Sequence, residues 1–118
     1  LENINYSPDL LEFIRQQGFC AFCLDMGHLL LGRESVRKTL KRYLPVIKEI
    51  HIHGVTGWDE HLGLDVLPLE RVQSWFHCLN DYGYTGILNL EVFDPVDLKK
   101  SLEVLKQVKT TKQADGSP

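Results

Sequence analysis

The chain has 118 residues, 43% hydrophobic and 25% charged, with a formal net charge of -3 when histidine is neutral. That is enough chain for one compact domain with a real core, and the composition is that of an ordinary globular protein. The charge gives no electrostatic basis for binding nucleic acid or an anionic membrane.

The chain begins Leu1-Glu2-Asn3, which reads as the end of a partial strand. Ser7-Pro8-Asp9 follows as a helix start: an N-cap, a proline at the first helical position and an acid in the first turn. Leu10, Leu11, Phe13 and Ile14 keep helical spacing, and Gly18 closes the helix. The run Phe19–Asp25 is short and apolar on both faces, which predicts a buried strand. Met26-Gly27-His28 is expected to turn. A second helix is predicted over 34–44, with Val36, Leu40 and Leu44 spaced by four and Pro45 behind it. Its basic residues Arg33, Arg37, Lys38, Lys41 and Arg42 fit a solvated face. A strand over Ile47–His53 precedes a polar loop, Gly54–Asp65. Pro68 opens a third helix carrying Val72, Trp75, Phe76 and Leu79, and Asn80-Asp81-Tyr82-Gly83 breaks it. His77 on this helix fits a structural role. The next strand is Gly86–Phe93, and Asp94-Pro95 turns into a last helix over 96–108. The polar tail 109–118 is expected to be disordered.

Alternating strands and helices predict an α/β fold with a parallel sheet and right-handed crossovers. A complete (βα)8 barrel takes about 250 residues. Four βα units over residues 1–108 therefore fit half of a barrel, or a small doubly wound sheet.

Three cysteines, Cys20, Cys23 and Cys78, make an odd set and favour reduced thiols and a cytoplasmic location. Cys20 and Cys23 lie in an apolar run, and a spacing of three puts them on opposite faces of a strand, as buried core thiols. No run approaches the 18 apolar residues of a membrane helix.

The polar residues converge on one place. Glu2 ends the partial strand, Asp25 ends the next, and His28 follows three residues later. His51 and His53 end another strand on a single face. Asp59 and His61 lie in the loop behind it, and Glu91 is near the end of the last strand. Each βα unit thus delivers an acid or an imidazole to the C-terminal edge of the sheet, where α/β active sites form. Carboxylates with imidazoles and no thiolate suit a catalytic divalent ion such as Zn, Mn, Fe or Co. Plainer roles compete: Asp25 as a helix N-cap, His28 as a turn residue, His53 as a satisfied loop histidine, Glu91 in a buried salt bridge.

In their order, Leu1-Glu2-Asn3, Asp25-Met-Gly-His28, His51-Ile-His53, Asp59-Glu-His61 and Leu90-Glu91-Val92 resemble the xylose-isomerase-like barrel superfamily. That group includes sugar-phosphate isomerases and epimerases and the type IV apurinic endonucleases. The strings Cys23–Gly32, His51–Val55, Asp59–Pro68 and Leu88–Phe93 resemble most closely its cobamide-remodelling phosphodiesterases. The resemblance covers roughly the first 105 residues. It implies the C-terminal half of a (βα)8 TIM barrel with two or three divalent ions (Zn, Mn or Fe) per complete site. It also implies Glu2, Asp25, His28, His51, Asp59, His61 and Glu91 as ligands, with Glu2 and Glu91 also catalytic. His53 then falls in the substrate pocket or behind the ligands, and His51 and His53 can exchange roles. Gly54 departs from the pattern, standing where an Asp is usual.

The implied activity is metal-dependent hydrolysis of a phosphodiester in the nucleotide loop of a cobamide. A sugar-phosphate isomerase or epimerase is the alternative, and an inactive half-barrel scaffold a third. The expected partners are a small phosphorylated molecule and either the N-terminal half-barrel or a second copy that covers the sheet edges.

Overall fold

The computed structural model describes residues 12–13, 16–17 and 21–114. Glu2, the predicted start of the first helix, Gly18 and Cys20 lie outside these residues, as does the end of the tail.

Strand β1 (Phe22–Asp25) leads directly into helix α1 (Met26–Leu31). Helix α2 (Val36–Tyr43) and a 3-10 turn (Leu44–Val46) precede strand β2 (Ile47–Ile52). Two short strands, β3 (Gly54–Thr56) and β4 (Asp59–Leu62), come next, then a 3-10 turn, Leu64–Val66. Helix α3 (Leu69–Asp81), strand β5 (Ile87–Leu90) and helix α4 (Pro95–Ala114) complete the described chain.

The molecule is mixed α/β. Its main sheet is parallel, in the order β1-β2-β5, with Asp25 opposite His51 and His51 opposite Asn89. Glu91 lies just past β5, yet its N–H donates to the Ile52 carbonyl at 2.9 Å and continues the ladder.

Alternation along the strands sorts the side chains onto two faces. Phe22, Leu24, Ile50 and Ile52 belong to the core, which also contains Leu40 and Tyr43 of α2 and Val72, Trp75 and Leu79 of α3. Leu24, Leu40 and Ile50 are completely removed from water, a burial that stabilises by about 1.5–3 kcal/mol for each side chain. The other face carries Cys23, Glu49, His51, Ile87 and Asn89, and is half-buried or exposed.

The helix around Leu40 forms as its spacing predicts. The Ser35 hydroxyl oxygen accepts from the Lys38 N–H at 3.2 Å and caps it, and its basic side chains face solvent. Cys78 is buried. Four expectations change. Met26-Gly27-His28 is not a turn but the start of α1, because Asp25 caps the helix by accepting from the His28 N–H at 2.9 Å. The loop 54–65 holds an antiparallel hairpin, β3 with β4, turning at Gly57, where φ is 54°. Cys23 is half-exposed, because alternation puts it opposite to Phe22 and Leu24. Helix α4 runs on to Ala114, six residues beyond the end expected at Val108, without a glycine or proline to stop it.

Two close contacts fasten the base of the hairpin. A Cβ at Gly54 would overlap the Gly63 carbonyl and lie 2.6 Å from Val66 Cγ2, so only glycine lets the strands approach there. That is a physical reason for glycine where the resemblance anticipates an acid. Beyond β4, the buried Ser101 hydroxyl donates to the Asp97 carbonyl at 2.7 Å and accepts from the Leu64 N–H at 2.9 Å. It ties α4 to the end of the hairpin.

Candidate metal centre

The C-terminal ends of β1, β2 and β5, with the hairpin, bring five of the seven expected ligands together around His53. Asp25 and His28 come from the β1–α1 junction, His51 from β2, His61 from β4, and Glu91 from the end of β5. Asp25, His51 and Glu91 each offer a ligand atom, all within 4.8 Å of one another. The same holds for Asp25, His28 and His53, and for His53, His61 and Glu91. Asp25 and Glu91 are each shared between two of these groups.

His53 lies at the centre. It is completely buried, as is Asp25. Its Nε2 is 2.8 Å from Asp25 Oδ1, and its Nδ1 accepts from the His61 N–H at 2.9 Å. A donor aimed at Nδ1 places the ring proton on Nε2, which donates to Asp25. His53 therefore lies behind the open surface, in contact with Asp25 and the hairpin. Burial alone would raise the Asp25 pKa. The His53 hydrogen bond, the His28 N–H and the charges of both rings outweigh it and hold the carboxyl below its ordinary range. Burial pulls the His53 ring down in turn, and the Asp25 hydrogen bond and charge more than reverse it.

Gly27 makes this packing possible. A Cβ there would overlap the His53 ring, 2.5 Å from Nε2 and 2.9 Å from Nδ1. The spacing Asp25-x-Gly-His28 thus has a mechanical basis. Asp caps, Gly admits the buried ring, and His28 returns to the carboxylate with Nε2 at 3.7 Å from Asp25 Oδ2.

His51 Nδ1 approaches Glu91 Oε2 to 2.7 Å, while its Nε2 is 3.5 Å from Glu49 Oε1. Glu91 Oε2 is a buried oxygen whose geometry makes no hydrogen bond. At 2.7 Å the two groups stand at salt-bridge distance. Two ligands of one tetrahedral ion, each about 2.0–2.2 Å from it, lie about 3.4 Å apart, so an ion would take this pair only after the ring and the carboxylate part slightly.

His61 stacks on His53 with ring centroids 4.5 Å apart, and touches Phe93 at 4.7 Å. Its φ is 60°, the left-handed region that costs a non-glycine residue energy and is held only where the surroundings impose it. The positive φ breaks the period of two along β4. Asp59 and Glu60 are both exposed and belong to none of the donor groups, but Glu60 Oε2 lies 3.1 Å from His28 Nε2. Glu60 is a rim acid, beside His28 and His61, that spacing does not single out. The hairpin tip beside it carries Trp58, 98% exposed, and Phe93 is 72% exposed beyond His61. His77 is exposed on α3, outside the cluster.

The geometry defines an α/β molecule with a carboxylate–imidazole cluster at the C-terminal edge of a parallel sheet. Among known proteins, the chain is 29% identical over 117 positions to the uncharacterized protein MJ1188 of Methanocaldococcus jannaschii. The match covers 92% of this chain but only 42% of that protein, so the chain spans less than half the length of its curated relative. No family model and no solved structure matches it. Among the described residues, no helix is long and apolar enough to cross a membrane.

Proposed function

We propose that the chain is the C-terminal half of a metal-dependent (βα)8 barrel hydrolase that cleaves a phosphodiester. The observation that carries this reading is the convergence of Asp25, His28, His51, His61 and Glu91 on the C-terminal ends of three parallel strands, with Glu91 Oε2 buried at 2.7 Å from His51 Nδ1. The donor set is oxygen and imidazole nitrogen, the set that divalent Zn, Mn or Fe takes in catalytic sites. A bound divalent ion supplies Lewis acidity toward a phosphoryl oxygen and makes a coordinated water more acidic.

The chain's own residues do the rest. Asp25 and Glu91, each shared between donor groups, set the spacing of the ligands. His53 holds Asp25 in one orientation and keeps the His61 backbone against it. Glu60, on the rim, faces His28 and is placed to accept a proton. Trp58 and Phe93 offer exposed aromatic surface beside the cluster, suited to a planar group on the substrate. A cobamide nucleotide loop is the substrate that the family resemblance implies. The relative is more than twice as long, so turnover is assigned to this half combined with the strands that complete a barrel, supplied by an N-terminal half or a second copy.

The test begins with elemental analysis of the purified chain after dialysis against Zn, Mn or Fe. Close to one ion or more per chain is expected. Cobamide cleavage is then assayed with the same metals on the chain joined to the remaining barrel strands. A Glu91→Gln, His61→Ala double variant that keeps both metal and rate would sink the proposal. Ketose isomerisation without phosphodiester cleavage would move the assignment to an isomerase.

A further inference from the structure

A second group of donors continues from this cluster along the face of the sheet opposite the core, sharing His51 with it. Cys23 of β1 and Glu49 of β2 are partners in the parallel register, two residues before the Asp25–His51 pair and on the same face. Cys23, Glu49 and His51 each offer one donor atom, and these three atoms lie within 4.8 Å of one another. His51 connects the two regions through its two nitrogens. Nδ1 points toward Glu91, at 2.7 Å, and Nε2 lies 3.5 Å from Glu49 Oε1. All three side chains are half-buried, accessible to an ion yet partly shielded from water.

We propose that Cys23, Glu49 and His51 form a second cation site, selective for a thiophilic divalent metal such as zinc. Sulfur, carboxylate oxygen and imidazole nitrogen together are the ligand chemistry of zinc, and three protein ligands leave a fourth position open. The strand-end cluster contains no sulfur, so the two sites differ in preference: harder ions suit the upper, softer ions the lower. Parallel pairing fixes the lower geometry, because Cys23 and Glu49 are held side by side by the backbone ladder and not by flexible loops. Asn89 Nδ2 donates to Glu49 Oε1 at 3.4 Å and steadies the carboxylate. The site stands independently of any hydrolase activity. It does share a ring with the upper cluster, so filling one alters the affinity of the other.

Cobalt(II) is the probe, because each cobalt–thiolate bond adds an intense near-ultraviolet charge-transfer band. Titrating the chain should produce that band, and zinc should abolish it. The band should persist in Cys20→Ser and in Glu91→Gln, vanish in Cys23→Ser, and need at least about tenfold more cobalt in Glu49→Gln. A wild-type chain without the band, or a band that survives Cys23→Ser, overturns the proposal. Should Cys23→Ser fail to fold, alkylation decides on the unaltered chain. Zinc must slow iodoacetamide labelling of Cys23 selectively, and Glu49→Gln must remove that protection. Equal labelling with and without zinc refutes the site.

Discussion

The sheet's C-terminal edge and helix α4 both carry charge, and they use it in opposite ways. On α4, Lys106 and Glu103 meet at 3.5 Å with both side chains mostly in water. At the sheet edge, Asp25 and His53 are entirely buried and 2.8 Å apart. An exposed pair is screened by solvent and contributes little. A buried pair is costly to assemble and costly to break. The contrast teaches that the position of charge in the fold, and not its abundance in the sequence, marks the candidate site.

The largest expected effect lies at Asp25. Asp25→Ala removes the cap of α1 and leaves His53 buried without its carboxylate. It should destabilise by about 3–5 kcal/mol in urea unfolding and abolish metal loading. The same carboxylate shapes the acid limb. Its folded pKa is lowered, so its contribution is present above the unfolded value of about 3.9 and is lost as pH falls through the folded value. Asp25→Asn should flatten the fall in stability across that window; an unchanged acid limb would show that the carboxylate is not held as described.

Next comes Gly27→Ala. One methyl group meets the His53 ring, with an expected cost of about 1–3 kcal/mol for overpacking and a matching loss of metal affinity. A variant of wild-type stability would mean that the ring has room to move. Smaller still is the choice between two adjacent acids. Glu60→Gln should weaken zinc binding roughly tenfold, the usual size for a neighbour of a ligand, while Asp59→Asn leaves it unchanged. The opposite result, read by competition with a chromogenic chelator, would restore the ligand that the family pattern implies. Lys106→Gln should leave the thermal midpoint unchanged, and a clear shift there would erase the contrast between the two regions.

Much of this arrangement is legible in the residues. Short strands and spaced-by-four apolar residues define the α/β alternation. Strand ends locate Asp25, His51 and Glu91 because alternation and parallel pairing leave few other places for them. The hairpin is not legible, since Gly54 to Asp65 is polar and glycine-containing, and its pairing depends on a backbone contact between Gly54 and Gly63. Glu60 is hidden for a related reason. Periodicity puts Asp59 and His61 on one side, and the left-handed φ at His61 departs from the regular strand that this periodicity assumes. Helix α1 is too short, at six residues, for a period to declare itself. Its cap at Asp25 was readable; the choice between cap and ligand was not, because Asp25 is placed for both. The half-barrel reading and the seven ligands implied by resemblance extend beyond what the three-stranded sheet contains, and Glu2 lies outside the described residues.

The two tryptophans occupy contrasting places: Trp58 stands in water at the hairpin tip, and Trp75 is 2% exposed in the core. The chain therefore carries two natural fluorophores in separate environments, one emitting to the red and one to the blue. Unfolding moves the blue emitter. A quenching ion or a planar ligand arriving at the sheet edge dims the red one first. With Trp58→Phe as the reference, a single spectrum separates loss of fold from occupancy of the site, without a label.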